Sequence, residues 1–372
     1  MKTYFSNNTK AFFALVRAGL WEKDVQILPL GKIEVSKLYR LAKEQSVVGL
    51  LAAGIEHIVD VKIPKEISLS IIGYTLQLEQ RNRDMNLFIG SLIEGLRKAG
   101  IHVLLVKGEG MAQCYERPLW RACGDIDLLV SDDDYEKAKN YLIGLSQNTE
   151  EEVKKRKHLG LYIDDWDVEI HGSLRGNVLD RMNKGIDKVQ REVFDNGKEC
   201  VWRNGDIDVS IPAPNENVII VFTHILQHFF EKGIGLRQVC DWCRLLWANK
   251  DAIDNALLEK RLRSMGILTE WKAFAAMVVD YLDMPAEVIP LYETSERWSR
   301  KAERIMAFII EKGNFGHNSD ESYYERHSFV VIKAISLWRH TWDGIRYFFI
   351  FPMDSIRVWS RIMMRGVVEI VK

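Results

Sequence analysis

Cys123-Gly124-Asp125-Ile126-Asp127-Leu128-Leu129-Val130 reads as a β-strand with carboxylates at alternate positions. Strand side chains alternate between faces, so Asp125 and Asp127 project to one side and Ile126, Leu128 and Val130 to the other. At a rise near 3.3 Å per residue, the two acidic positions stand about 7 Å apart along the strand. Two anions aimed into one space repel unless one is protonated or a cation lies between them. An all-oxygen donor set suits magnesium, which shares its coordination among a few carboxylates, water and a phosphate-bearing substrate.

The flanking elements must bring further groups to that strand. The long apolar face from Ile67 to Leu96 predicts a helix entered at Pro64 and stopped at Gly100. Ile101–Val106 follows as a buried strand, and Lys107-Gly108-Glu109-Gly110 closes it. Gly108 and Gly110 allow backbone to approach a ligand closely. A short helix over 109–116 ends at Pro118, and Ser131 with Asp134 marks the start of another through Tyr135 and Leu142. The charged stretch 148–158, with Lys154-Lys155-Arg156-Lys157, reads as a solvated connection. Leu159–Ile163 and Trp166–His171 form a hairpin turning at Asp164-Asp165. In its second strand Asp167, Glu169 and His171 share one face, which places a third acid within reach of the first two.

Other patterns resemble chemistry but have plainer readings. Gly205-Asp206-Ile207-Asp208 repeats the acidic tetrapeptide inside a second hairpin, Cys200–Arg203 with Asp206–Ile211. Its glycine is accounted for by an Asn204-Gly205 turn of type I′. From Pro212 the pattern is helical, with Asn215 as the expected cap of an apolar helix. His224 and His228 have zinc-ligand spacing, but Ile225 stands where a metalloprotease carries its glutamate, so they read as packed histidines. Arg237 and Asp241 are spaced as a helix ion pair. Cys240 and Cys243 have metal-pair spacing without a second pair, and read as buried free thiols.

The whole chain narrows the class. With 372 residues, 47% of them apolar, it can bury a large core. A formal net charge of −1 supplies no general field for nucleic acid. No apolar run reaches the roughly 18 residues of a membrane span. The polar Met1–Lys10 start lacks a secretory pattern, and five sparse cysteines fit a reducing compartment, so a cytoplasmic location is expected. Residues 1–62 read as short amphipathic helices. Phe329–Lys372 interleaves Trp338, Trp342, Tyr347, Phe348 and Trp359 with Arg339, Arg346, Arg357, Arg361 and Arg365. That pattern reads as a terminal helix pair packed on the domain, with contact at a membrane surface or an acidic partner as the other reading.

In order along the chain, Lys107-Gly108, Arg121, Gly124–Val130 and Val168-Glu169-Ile170-His171 resemble the polymerase-β-type nucleotidyltransferase superfamily. More narrowly they are similar to an uncharacterised bacterial family with a Lys-Gly turn, an Arg before a GDIDLLV strand and an acidic-x-His strand. His224, His228 and Asp241 sit where that family carries a helix with two histidines and a later aspartate. The resemblance covers roughly 90–245. It implies that Gly108 cradles nucleotide phosphates. It also implies that Asp125, Asp127 and Glu169 hold two divalent ions, which lie about 3.5–4 Å apart in such sites. Lys107 and Arg121 would offset phosphate charge. The usual Gly-Gly or Gly-Ser turn is replaced here by Lys107-Gly108-Glu109, which sets a negative charge beside the expected phosphates, and the gap from Gly108 to Asp125 is long.

The expectation is an α+β protein. An N-terminal helical segment covers 1–95, a small mixed-sheet nucleotidyltransferase core 96–212, and a C-terminal helical domain 213–372. The expected reaction is magnesium-dependent transfer of a nucleoside monophosphate from an NTP, by preference ATP, to a hydroxyl of a small molecule or protein. The alternative is an inactive nucleotide- or partner-binding module of the same fold, with peripheral membrane contact as a variant.

Overall fold

The computed structural model describes residues 5–176, 179–314 and 329–371. Met1–Tyr4 of the polar start and Lys372 of the terminal aromatic stretch lie outside them, as does the side chain of Arg365. The architecture is α+β: a small mixed sheet embedded among helices.

Three helices open the chain, α1 (Asn7–Trp21), α2 (Val35–Glu44) and α3 (Val48–Glu56). Ser6 caps α1 by accepting from the Thr9 N–H. The long α4 (Lys65–Lys98) follows, with Pro64 as its N-cap and Gly100 at φ +67° after its end. Then come β1 (Val103–Val106), α5 (Gly108–Ala112), β2 (Asp125–Val130), α6 (Tyr135–Ile143), β3 (Asn148–Thr149), β4 (His158–Ile163) and β5 (Trp166–His171). The helix expected over 109–116 is α5, which stops at Ala112, so Pro118 does not end it and instead begins a 3-10 turn over Pro118–Trp120.

Among the described residues these strands form one sheet in the order β1-β2-β5-β4-β3. The pair β2/β5 is parallel and the other neighbours are antiparallel. One face carries Ile126, Leu128 and Val130 with Val168 and Ile170. It is buried against Met85, Ile89 and Leu96 of α4 and Tyr135, Ala138 and Leu142 of α6. On the opposite face Leu104, Val106 and Leu129 meet Val193, which belongs to α7 (Asp180–Asp195).

The second hairpin is β6 (Glu199–Asn204) and β7 (Ile207–Pro212). Asn204 pairs with Ile207, so the turn residues are Gly205-Asp206, one position later than expected. Of the two only Gly205 has positive φ, +60°. That is the type II′ pattern, in which glycine comes first, rather than type I′. Asp208 pairs with Arg203 at the surface, 2.6 Å away, which leaves the repeated tetrapeptide a structural role.

Helices α8 (Pro214–Glu231), α9 (Leu236–Ala248), α10 (Asn255–Met265), α11 (Leu268–Leu282) and α12 (Glu296–Lys312) complete the main body. Ala213, not Asn215, is the N-cap of α8, and Pro214 supplies the first turn. Asn215 instead accepts from the Asp254 N–H, bracing the start of α10. Phe12 and Leu51 from the N-terminal helices share one core with Phe222, Trp242, Trp271 and Phe274. Helices α13 (Phe329–Phe348) and α14 (Pro352–Val371) pack on each other and on this body. Tyr347 donates to the Phe229 carbonyl, and Arg346 pairs with Glu311. Their outer side leaves Trp338, Trp342, Phe348 and Trp359 exposed. No helix among the described residues is long and apolar enough to cross a membrane.

Candidate functional site

Register decides where the acids go. In the parallel pair β2/β5, Asp125 lies opposite Asp167 and Asp127 opposite Glu169. Side chains at paired positions point to the same face. The carboxylates of Asp125, Asp127 and Glu169 accordingly come together, with oxygen atoms all within 4.8 Å of one another. Asp167 stays exposed at the start of β5.

Positive groups surround this cluster. Lys107 Nζ lies 2.6 Å from Asp127 Oδ1, both side chains being largely buried. Lys107 has φ +60° and ψ −145°, a conformation side chains rarely adopt, and Gly108 follows at φ +42°. Together they turn the chain sharply at the end of β1. His171 Nε2 stands 2.8 Å from Asp127 Oδ1 and 3.4 Å from Glu169 Oε2. His158 Nε2 reaches the same Glu169 oxygen at 3.0 Å. The two imidazoles stack, with centroids 4.7 Å and planes 25° apart. The rings thus hold the Glu169 carboxylate between them, and the donor atoms of His158, Glu169 and His171 also lie within 4.8 Å of one another.

Titration follows from these neighbours. Repulsion from Asp127, together with burial, pushes the Asp125 carboxyl above its usual value. Burial opposes ionisation of Asp127, but Lys107 and the His171 hydrogen bond outweigh it and lower its pKa. Glu169 is likewise held well below the carboxylate range, the bonds from His158 and His171 overcoming its burial. Burial disfavours the His171 cation, yet bonds to Asp127 and Glu169 raise its pKa.

The acids form one wall of a cleft of about 660 Å³. Met111 and Gly108 continue that wall, and Val221, His224, Ile225 and His228 of α8 face it. His224 and His228 therefore look into the cleft instead of serving only as packing. Burial, helped by Lys107, keeps His224 well below its usual pKa and brings His228 to about 4, so both are neutral near pH 7.

Arg121 borders the cleft with its guanidinium locked on Asp241. Nε meets Oδ1 at 2.9 Å and Nη2 meets Oδ2 at 2.8 Å, while Tyr115 donates to the same Oδ1 at 2.8 Å. This overturns the expected Arg237–Asp241 helix pair. Arg237 donates instead to the Ala122 carbonyl at 2.7 Å, because the loop before β2 delivers the better-placed bidentate partner. Glu109 does not face the phosphates' expected position, since it is only 1% exposed and lies inside the core beside Asn86 and Cys123. Burial raises its pKa to about 7, outweighing the opposing pull of Arg121, Asn86 and Cys123.

Sequence reasoning missed the cationic lining of the cleft. Lys232 and Arg237 border it, neither of them ion-paired among the described residues, with Lys312 paired to Asp343 at 2.7 Å. Helix α13 adds Ser336, Arg339, His340 and Asp343. Positions 336, 339, 340 and 343 share one helical face, opposite the apolar positions 338, 342 and 345. That periodicity was present in the sequence, although its direction toward the cleft was not.

The donor set fits a hard divalent ion: three carboxylates, oxygen only, clustered at the wall of an open cleft. All five cysteines are free thiols, and Cys240 and Cys243 are buried in α9. Burial raises both of their pKa values.

Comparison with known proteins bears on the chemistry. No curated protein matches the chain. Among solved structures, an antigenic nucleotidyltransferase-like protein from Paracoccidioides brasiliensis is similar at 11% identity. The likeness covers 56% of this chain and 94% of that one, with a TM-score of 0.34, too low to carry an argument. A family model described as an uncharacterised nucleotidyltransferase matches residues 31–283. That span takes in β2, β5, α8 and α9 and more than half of the chain, so the protein belongs to this nucleotidyltransferase family.

Proposed function

We propose that this protein is an active nucleotidyltransferase that moves a nucleoside monophosphate from an NTP, by preference ATP, to a hydroxyl of a small molecule or protein. The observation that carries the reading is the parallel register of Asp127 with Glu169, which gathers three carboxylates at the cleft wall. Asp125, Asp127 and Glu169 would hold magnesium. Bound there, it would polarise the α-phosphate and favour the ionised acceptor oxygen.

The chain's own groups divide the remaining work. Gly108, at φ +42° and lining the cleft, lets backbone come close to the phosphates. Lys232 and Arg237 supply positive charge for the triphosphate tail. Arg121 adds its field while fixed by Asp241. His158 and His171 orient Glu169. The acceptor oxygen forms a bond to the α-phosphorus as the bond to the bridging oxygen breaks. Pyrophosphate leaves with that electron pair, and the hydroxyl proton passes to solvent.

The test is incubation of the full chain with α-labelled NTPs, magnesium and a metabolite or protein extract. Label should appear on an acceptor in step with pyrophosphate, and Asp127→Asn should abolish both. Absence of transfer with every NTP, or undiminished transfer by Asp127→Asn, would defeat the reading.

A further inference from the structure

We infer that Lys107 is itself the second cation of this centre, so that the site takes one divalent ion where a two-ion transferase takes two. The inference rests on the metal-holding reading above and deepens it.

In a two-ion site the ions lie about 3.5–4 Å apart and a shared carboxylate bridges them, one oxygen to each. Asp127 is placed for that bridging role, at the centre of the cluster and in register with Glu169. Its Oδ1, however, already meets Lys107 Nζ at 2.6 Å and His171 Nε2 at 2.8 Å. With two nitrogen partners on that atom, the remaining oxygen serves one ion. Asp125 and Glu169 complete the set on the same face.

Lys107 is built into this position. Its side chain is 15% exposed and Asp127's 3%, so neither moves into solvent without giving up a buried partner. The backbone at Lys107 sits at φ +60°, ψ −145°, where glycine is the ordinary occupant. Local strain of this kind persists where surrounding structure over-determines it, and it gathers at functional sites. Here it coincides with the substitution of lysine and a single glycine for the expected paired small residues. An ammonium tethered to the end of β1 supplies fixed positive charge beside the carboxylates without needing to be recruited from solution. It is also a point charge that reaches a phosphate oxygen without accepting ligands.

The experiment uses the full-length chain with Mn2+ alone, and with Mn2+ plus α,β-methylene ATP. Equilibrium dialysis counts the ions, and electron paramagnetic resonance detects coupling between neighbouring Mn2+ centres. The wild type should bind one Mn2+ per chain in the presence of the analogue and show an uncoupled spectrum. Lys107→Met, of similar length and uncharged, should bind a second Mn2+ and acquire a spin-coupled pair signal. Two coupled ions in the wild type would overturn the inference while leaving the metal site standing. A single ion in a folded Lys107→Met protein would overturn it as well. No Mn2+ in either protein would remove the metal-site reading itself. Should Lys107→Met fail to fold, the wild-type count and spectrum decide alone.

Discussion

Arg121 and Asp241 join the loop before β2 to helix α9 through a bidentate ion pair, both side chains being at most 7% exposed. Tyr115 closes the arrangement by donating to Asp241. Breaking one side of a buried pair leaves the other charge without compensation, which costs about 3–5 kcal/mol. Asp241→Ala should lower the unfolding free energy by that order. The double variant Arg121→Met, Asp241→Leu should recover much of it, as read by denaturant melts. Recovery would mark the pair as structural scaffolding beneath the cleft, and none would point to a role beyond charge balance.

Asp125→Asn, Asp127→Asn and Glu169→Gln each remove one negative charge from the cluster without changing its volume much. Transfer should fall roughly 100-fold or more in each, the scale seen when one preorganised electrostatic contact is lost. Circular dichroism should stay near wild type, while Asp127→Asn should lower the melting temperature, because it leaves buried Lys107 and His171 without their carboxylate. A variant retaining full transfer would strike its residue from the proposed set.

Glu109 makes a pH prediction with a definite sign. Its folded pKa of about 7 stands above the ordinary 4.5, because burial disfavours the anion. Between those values the native state holds a proton that the unfolded chain has lost, so this residue makes stability fall as pH rises from about 4.5 to 7. At 1.36 kcal/mol per unit the loss is on the order of 3 kcal/mol. Glu109→Gln should flatten that part of the profile and be the more stable protein at pH 8. Parallel profiles in urea melts would refute the assignment.

Arg237 lines the cleft with no carboxylate partner among the described residues and is proposed to meet the triphosphate. Arg237→Ala should raise the KM for NTP by about tenfold, roughly 1.4 kcal/mol of binding, with kcat changed far less. Initial-rate kinetics would check the split. A drop confined to kcat would place Arg237 on the reacting phosphate instead.

The sequence by itself determined the local pieces: the alternation that puts Asp125 and Asp127 on one face, the hairpin turning at Asp164-Asp165, and the family motifs in order. The alternation and the hairpin follow from period-2 patterns, which are properties of neighbouring residues, while the ordered motifs carry a family resemblance. The sequence also repeated the acidic tetrapeptide at Asp206 and Asp208, and the turn signal beside that copy already marked it as a decoy. The structure agrees: the copy lies on a separate two-stranded hairpin, with Asp208 paired to Arg203 at the surface. Tertiary structure alone decided the rest. Parallel pairing set Asp127 against Glu169 across 42 residues of chain. Packing gave Asp241 to Arg121 rather than to Arg237. Helix α13 turned its polar face onto the cleft. Register, partner choice and facing depend on which distant surfaces meet. A one-residue slip or a rotated helix would preserve every local pattern and still scatter the site.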